Sequence, residues 1–166
     1  MPFQTQVQLT QAPAVAGDFA SANPRHSVLS VPGGFIAGTN GLTIGLFAWA
    51  DTATGTILSN TGTGAPTGFV HRDLQALITT YLAEFGMTIP AGFGIGELFN
   101  GGDFWVKNAG ASAVTIGQKA FANNTNGTVS FAAAGATVAG STETKWIAMS
   151  AGAAGELIKM SNVALG

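Results

Sequence analysis

The sequence predicts an all-β fold, a single domain of the sandwich, jelly-roll-like or barrel kind, and three observations support this. Short apolar runs recur at intervals of roughly ten residues, the spacing typical of sandwiches and barrels. Asn-Gly and Thr-Gly pairs, which favour tight turns, separate these runs. The chain has 166 residues, of which 46% are hydrophobic, so we expect one compact core.

The first 34 residues are predicted to form an extended N-terminal arm. They contain Pro13, Pro24, Pro32 and the pair Gly33-Gly34, and each proline removes a backbone donor and restricts the residue before it. Such an arm would lie on another protein. The alternative is an ordinary N-terminal strand with loops, packed on the chain's own core. Residues 35–166 are predicted to form a single β-rich domain.

Within this domain, strands are predicted wherever apolar residues gather between turns. The predicted strand regions are 41–49, 56–58, 87–90, 104–107, 114–116, 128–131, 144–149 and 157–160. The pairs Asn40-Gly41, Asn100-Gly101 and Asn126-Gly127 each tolerate the positive φ that a two-residue hairpin turn requires. The third pair is the clearest, because strand-like runs flank it on both sides.

One segment departs from the β pattern and predicts one short helix near residues 71–84. Its apolar residues recur at intervals of three and four, which gathers them on one helical face; they are Leu74, Leu77, Ile78, Tyr81, Leu82 and Phe85. Gly86 would end the helix. Thr79 and Thr80 lie at its centre, and because β-branched residues disfavour helices, a strand is the alternative.

Charged residues are unusually scarce. Six Lys and Arg and eight Asp and Glu make up 8% of the chain, against about 25% in ordinary soluble domains. The six cations form no run, which weighs against direct nucleic-acid binding, and no stretch of about 20 apolar residues predicts a membrane span. With no cysteine, neither disulfides nor thiolate metal sites are expected. An uncharged surface of this kind suits a partner better than free solution.

The residues that could carry chemistry form no catalytic pattern. Neither His26 nor His71 has a nucleophile and an orienting carboxylate beside it in the sequence. A small hydrolase that uses His71 with Asp73 or Asp103 is the weakest alternative. The carboxylates are dispersed singly, so no metal site is predicted. The glycines of residues 92–96 lack dinucleotide-fingerprint spacing and predict a turn between strands. We predict neither an enzyme nor a cofactor.

Three tryptophans offer a different kind of site. Trp49, Trp105 and Trp146 could form a platform on which a sugar stacks, although each lies in an apolar strand, where a core role is favoured. The alternative function kept open is therefore a β-sandwich carbohydrate-binding or fibre (receptor-binding) module.

Several phrases, spread nearly from end to end, carry a family resemblance. They are Gln11–Ala20 (QAPAVAGDFA) with Asn23–Arg25 (NPR), Gly68–Arg72 (GFVHR) with Gln75–Ile78 (QALI), Gly101–Val106 (GGDFWV), Gly117–Ala122 (GQKAFA) and Ser150–Lys159 (SAGAAGELIK). Together they resemble the structural cement (capsid decoration) proteins of tailed bacteriophages. None of these phrases is a catalytic signature.

The resemblance implies a non-enzymatic virion protein, made in the host cytoplasm, on the outer surface of the capsid. There it would bind the major capsid protein and tie neighbouring capsomers together, as a homodimer or homotrimer, without direct contact with nucleic acid or membrane. The candidate contact residues are Phe3, Val7, Leu9, Phe19, Arg25, His26, His71 and Arg72. The first four would be the anchors in the arm.

Overall fold

The computed structural model describes residues 14–73 and 86–162. Within these ranges every regular element is a β-strand, which confirms the predicted all-β class. Residues 71–73 have no regular structure. The rest of the segment predicted as a helix near 71–84 lies outside the described residues.

The described residues form fourteen strands. They are β1 (His26–Ser27), β2 (Phe35–Ala37), β3 (Leu42–Thr43), β4 (Phe47–Ala50), β5 (Ile57–Ser59), β6 (Gly68–Val70), β7 (Thr88–Ile89), β8 (Gly94–Ile95), β9 (Leu98–Gly101), β10 (Asp103–Lys107), β11 (Lys119–Asn123), β12 (Val129–Ala132), β13 (Ser141–Ala148) and β14 (Leu157–Ser161).

These strands form three sheets. Seven strands lie in the order β1-β9-β6-β4-β5-β2-β8, five in the order β10-β14-β13-β11-β12, and β3 pairs with β7. Among the described residues none of the sheets closes on itself. The sandwich form of the prediction therefore fits the structure, and the barrel form does not.

The five-stranded sheet is antiparallel throughout. Phe104 pairs with Met160 and Val106 with Ile158, and all four side chains are buried because residues two apart share one face of a strand. The predicted strands near 104–107, 128–131, 144–149 and 157–160 are confirmed. The predicted strand at 114–116 is reduced to an isolated bridge between Val114 and Gly152.

The hairpin predicted at Asn126-Gly127 is confirmed, because β11 and β12 pair on either side of it. Its loop is longer than the two residues predicted. The amide of Gly127 donates to the carbonyl of Asn123 at 2.8 Å, which closes a wider turn, and Gly127 has a φ of 70°. A side chain here would also collide with the carbonyl oxygen of Phe47, so glycine is required twice over.

The other two predicted hairpins are wrong. Asn40-Gly41 stands between β2 and β3, which lie in different sheets. Gly101 belongs to β9, and β9 and β10 also lie in different sheets. At both places the chain crosses from one sheet to another, which a local turn signal cannot distinguish from a hairpin.

The seven-stranded sheet contributes to two cores. Phe47, Phe69 and Phe99 face the five-stranded sheet, with the ring of Phe69 centred 5.1 Å from that of Phe104. The residues next to them, Ala48, Val70 and Leu98, belong to the second core on the opposite face. Both faces of β4, β6 and β9 are therefore buried, which explains their nearly continuous apolar sequences.

The described part of the predicted arm packs on the chain's own sheets. The Gly17 amide donates to the Trp105 carbonyl at 2.8 Å, and the Trp105 amide donates to the Asp18 carbonyl at 2.9 Å. Residues 17–20 thus cover β10, an edge of the five-stranded sheet. Further along, β1 pairs with β9 at an edge of the seven-stranded sheet. We call residues 17–28 the edge-covering segment; the predicted boundary at residue 34 remains a prediction.

Candidate interaction surfaces

A stack of three side chains fixes the edge-covering segment to the sandwich. The Phe19 ring lies parallel to the His71 ring, with centroids 3.8 Å apart and an angle of 22° between the planes. The Arg25 guanidinium carbon lies 3.6 Å from the Phe19 centroid. Stacking and cation–π contacts each contribute on the order of 1 kcal/mol. The stack therefore holds Phe19 against Phe99 and Phe104 of the main core.

The residues after β6 hold the backbone of the same segment. His71 Nδ1 lies 2.7 Å from the Gly17 carbonyl oxygen, and because a carbonyl only accepts, Nδ1 carries the proton. The Arg72 amide donates to the same oxygen at 3.0 Å. Its guanidinium forms an ion pair of 3.2 Å with Asp18, a half-exposed pair that contributes at most about 1 kcal/mol.

Burial lowers the pKa of His71 below its ordinary value of 6.5, because desolvation disfavours the imidazolium. The hydrogen bond to Gly17 and the negative charges of Asp73 and Asp18 act in the opposite direction, while Arg25 adds to the lowering. Desolvation outweighs the groups that would raise the pKa. His71 is therefore a neutral packing residue near pH 7.

Asp103 organises the turn of the edge-covering segment. Its Oδ2 accepts hydrogen bonds from Ser21 Oγ and Asn23 Nδ2, both at 2.6 Å. Burial would raise the pKa of Asp103, but side-chain hydrogen bonds from Ser161, Ser21 and Asn23 lower it below its ordinary value. The carboxylate therefore stays ionised and acts as an acceptor within its turn.

Five of the predicted contact residues meet at this corner. Phe19, Arg25 and His71 form the stack, Arg72 binds Asp18, and His26 lies against Gly101. Arg25 and His26 are exposed. Phe3, Val7 and Leu9 lie outside the described residues. The contacts of the five are with their own chain, and their role at a capsid or oligomer interface remains a prediction.

In the part of the chain that the structure describes, the corner lacks the hydrogen bonds that the hydrolase alternative requires. Among the described residues no hydrogen bond joins His71 to a carboxylate, and Asp103 is engaged by Ser21 and Asn23. Within residues 14–73 and 86–162, no three His, Asp or Glu residues lie close enough to hold one metal ion. The described chain also contains no helix of the length and hydrophobicity needed to cross a membrane.

Two of the three tryptophans belong to the core. Trp49 is 7% exposed and Trp146 is 2% exposed, so neither can stack on a sugar. Trp105 is half-buried on the outer face of β10, and the Lys159 ammonium lies 5.0 Å from the centroid of its ring. The platform on which a carbohydrate-binding module depends is therefore not assembled.

A second surface was not predicted from the sequence. Four apolar side chains lie exposed around the outer strands of the seven-stranded sheet; they are Val31 (39% exposed), Ile36 (37%), Ile57 (45%) and Phe93 (39%). We call these four residues the apolar outer face. Ile36 and Ile57 are partners in the parallel pair of β2 and β5, and Ile36 is opposite Gly94 of β8. A signal was available, because Phe35-Ile36-Ala37 is apolar on both faces, as covered strands are.

The loop before β5 fixes one end of this face. The amides of Thr54 and Ile57 donate to the Asp51 carboxylate at 2.7 and 2.9 Å. Hydrogen bonds from the backbone of Ile57 and Thr54 lower the pKa of Asp51 to about 2. Asp51 is therefore ionised at any physiological pH and holds the start of β5 in place.

The charges are divided unequally between the two larger sheets. All four lysines of the chain lie in the five-stranded sheet; they are Lys107, Lys119, Lys145 and Lys159. Strands β2, β4, β5 and β8 contain no charged residue. The charged residues within the strands thus belong to the five-stranded sheet, and the outer strands of the seven-stranded sheet have none.

Comparison with known proteins identifies one family. The family model of the XM1 gp53 minor capsid protein matches residues 3–162. The chain is also similar in structure to a chain of "The capsid of Myoviridae Phage XM1", with a TM-score of 0.63, 19% identity and 98% of each chain covered. At that identity the structural likeness shows the fold. No curated protein matches the chain.

Proposed function

The chain belongs to the XM1 gp53 minor capsid protein family, a phage capsid-associated family, and from this we propose that it is a cement (decoration) protein. Its class is that of a structural protein of the virion. In the proposed role it binds the outer surface of the shell of major capsid protein, ties neighbouring capsomers together and catalyses no reaction.

The observation that carries the proposal is the apolar outer face in a region without charged strands. A cement protein covers wide, shallow surfaces, and burial of an unpaired charge there would cost several kcal/mol on the scale known for buried ions. Uncharged side chains avoid that cost. Each contact is weak. Once a copy is bound to one capsomer, its contact with a second capsomer is intramolecular, which strengthens the overall binding.

The proposed arm contributes through its first residues. Residues 17–28 are already bound to β9 and β10 of their own chain. The capsid contacts proposed for the arm therefore fall before them, on a segment that includes Phe3, Val7 and Leu9. Arg25 and His26, which are exposed, are proposed as rim contacts. A homodimer or homotrimer would place such arms around a matching symmetry axis of the shell.

The test compares virions with and without this protein. We expect particles that lack it to release their DNA at a lower temperature than complete particles, and purified protein added back to restore the difference. Sedimentation with empty capsids measures binding directly. The proposal fails if the deficient particles resist heat as well as complete ones, or if the purified protein does not bind empty capsids.

A further inference from the structure

The edges of the two larger sheets differ in how the chain covers them. Residues 17–20 pair along β10, and Ala109 donates its amide to the Val129 carbonyl of β12 at 2.7 Å. The β10 edge of the five-stranded sheet is thus covered, and the β12 edge is paired at Val129. At one end of the seven-stranded sheet, β1 has two residues and follows Pro24, which limits further pairing. Among residues 14–73 and 86–162, no strand pairs with the outer edge of β8.

The backbone of Gly94 points away from its own sheet. Gly94 and Ile36 are partners in an antiparallel pair, and the Ile36 amide donates to Thr56 on the far side of β2, at 2.9 Å. Since the polar groups of Ile36 turn away from β8, this is a non-hydrogen-bonded pair, and the groups of Gly94 turn away from β2 in the same manner. The N–H and C=O of Gly94 therefore face the outer side of the sheet.

The side chains around this edge leave room for another strand. Gly92, Gly94 and Gly96 are exposed, and a Cβ added to Gly94 would meet nothing nearer than the Phe35 carbonyl oxygen at 4.0 Å. Glycines in a strand often mark a place where a second backbone approaches closely. Ile36 and Ile57 continue this opening as an apolar surface on the neighbouring strands.

We propose that β8 and the apolar outer face bind an extended, uncharged segment of the major capsid protein, which pairs with Gly94 as an added strand and covers Ile36 and Ile57. This inference rests on the proposed function. Backbone pairing supplies affinity and the apolar face supplies selectivity, as in other cases of strand addition. An uncharged segment is expected because β2, β5 and β8 contain no charged residue with which a charged one could pair.

The small size of this surface favours the major capsid protein, rather than a second copy of this chain, as the partner that binds it. A stable protein pair buries about 800 Å² on each partner, from roughly 20 to 30 residues. This face consists of four apolar side chains and three glycines, far fewer than a dimer needs. On a shell, the same contact adds to the others that each copy makes.

The experiment measures binding to empty capsids by sedimentation for the wild type and for Gly94→Lys. The variant places a charged side chain on the same face as Ile36, which the segment would cover, and we expect at least about tenfold weaker binding, a change of about 1.4 kcal/mol. The control is Ile116→Lys, which introduces the same side chain at a position that is 65% exposed and lies between β10 and β11. It should bind as the wild type does, and both variants should melt close to the wild-type temperature.

Hydrogen exchange gives an independent measurement on the wild-type protein. The Gly94 amide should exchange more slowly with capsids than without them, while the Ile116 amide should not change. If the wild type binds capsids but Gly94→Lys binds equally well and the Gly94 amide is not slowed, the inference is wrong and the proposed function stands. If the wild type does not bind, both are wrong. A solution dimer that Gly94→Lys converts to monomers would make a second copy the occupant and overturn the assignment to the capsid protein.

Discussion

In both the five-stranded sheet and the apolar outer face, buried and outward-pointing residues alternate along the strands. The outward residues differ, since β10 has a lysine there and β2 an isoleucine. In β10, Phe104 and Val106 are buried, while Trp105 and Lys107 point outward. In β2, Phe35 and Ala37 are buried and Ile36 points outward. An antiparallel sheet with one solvated side places polar residues outward. Lys107 of β10 follows this rule and Ile36 of β2 does not, so the outer side of β2 suits a partner.

The largest expected effect is a difference in stability between the same substitution at a core phenylalanine and at an exposed one. Phe104→Ala removes a fully buried ring between the two sheets and should lower the free energy of unfolding by about 3 to 5 kcal/mol. Phe93→Ala removes a ring of the apolar outer face and should cost no more than about 1 kcal/mol. Urea unfolding of both variants measures the difference. Equal losses would show that Phe93 belongs to the folded core and would end the comparison between the two faces.

Local patterns were enough to predict the strands whose alternation is clear. Phe104 and Val106 alternate with Trp105 and Lys107, so β10 could be predicted, and Asn126-Gly127 marked the hairpin between β11 and β12. For the edge-covering segment, the sequence alone does not decide between packing on the chain's own core and binding to another protein. Its pairing joins His26 to Gly101, and no local periodicity reports a partner that far along the chain.

The candidate site was predicted in part, for a related reason. Family phrases contained Phe19, Arg25 and His71, but nothing in them shows that the three side chains stack. The apolar outer face was missed because Ile36, Ile57 and Phe93 are far apart in sequence. In an all-apolar run such as residues 35–37, exposed and buried positions look alike until the register is known.

A smaller effect concerns pH at the corner where both sheets meet. Because burial lowers the pKa of His71 below 6.5, the unfolded chain takes up a proton more readily than the folded one as the pH falls. Stability should therefore be full above pH 6.5, decline below it and level off once the pH is below the folded pKa. Asp51 and Asp103 have lowered pKa values, so their contribution is lost only at lower pH, below the ordinary carboxyl value of 3.8.

The matched variant for this effect is His71→Phe, which keeps a ring against Phe19 but cannot titrate. Its melting temperature should fall less than that of the wild type between about pH 7 and pH 5, the range in which an ordinary histidine titrates. The absolute stability of the variant is not the readout, since it also loses the hydrogen bond to Gly17. Parallel curves for the two proteins would show that His71 is not the group responsible.

The smallest expected effect is on capsid binding, and it tests which of the two surfaces faces the shell. Lys107 and Lys145 are the exposed lysines of the five-stranded sheet, and if the apolar outer face is the capsid contact, the double variant Lys107→Gln/Lys145→Gln should bind empty capsids within about twofold of the wild type. Binding should also change little between about 50 and about 300 mM NaCl, a range in which screening weakens contacts between exposed charges. A tenfold loss in the double variant, or a steep fall with salt, would mean that the lysine-bearing sheet faces the shell. The uncharged strands would then be the outward side of the particle, and their exposed isoleucines would need another partner.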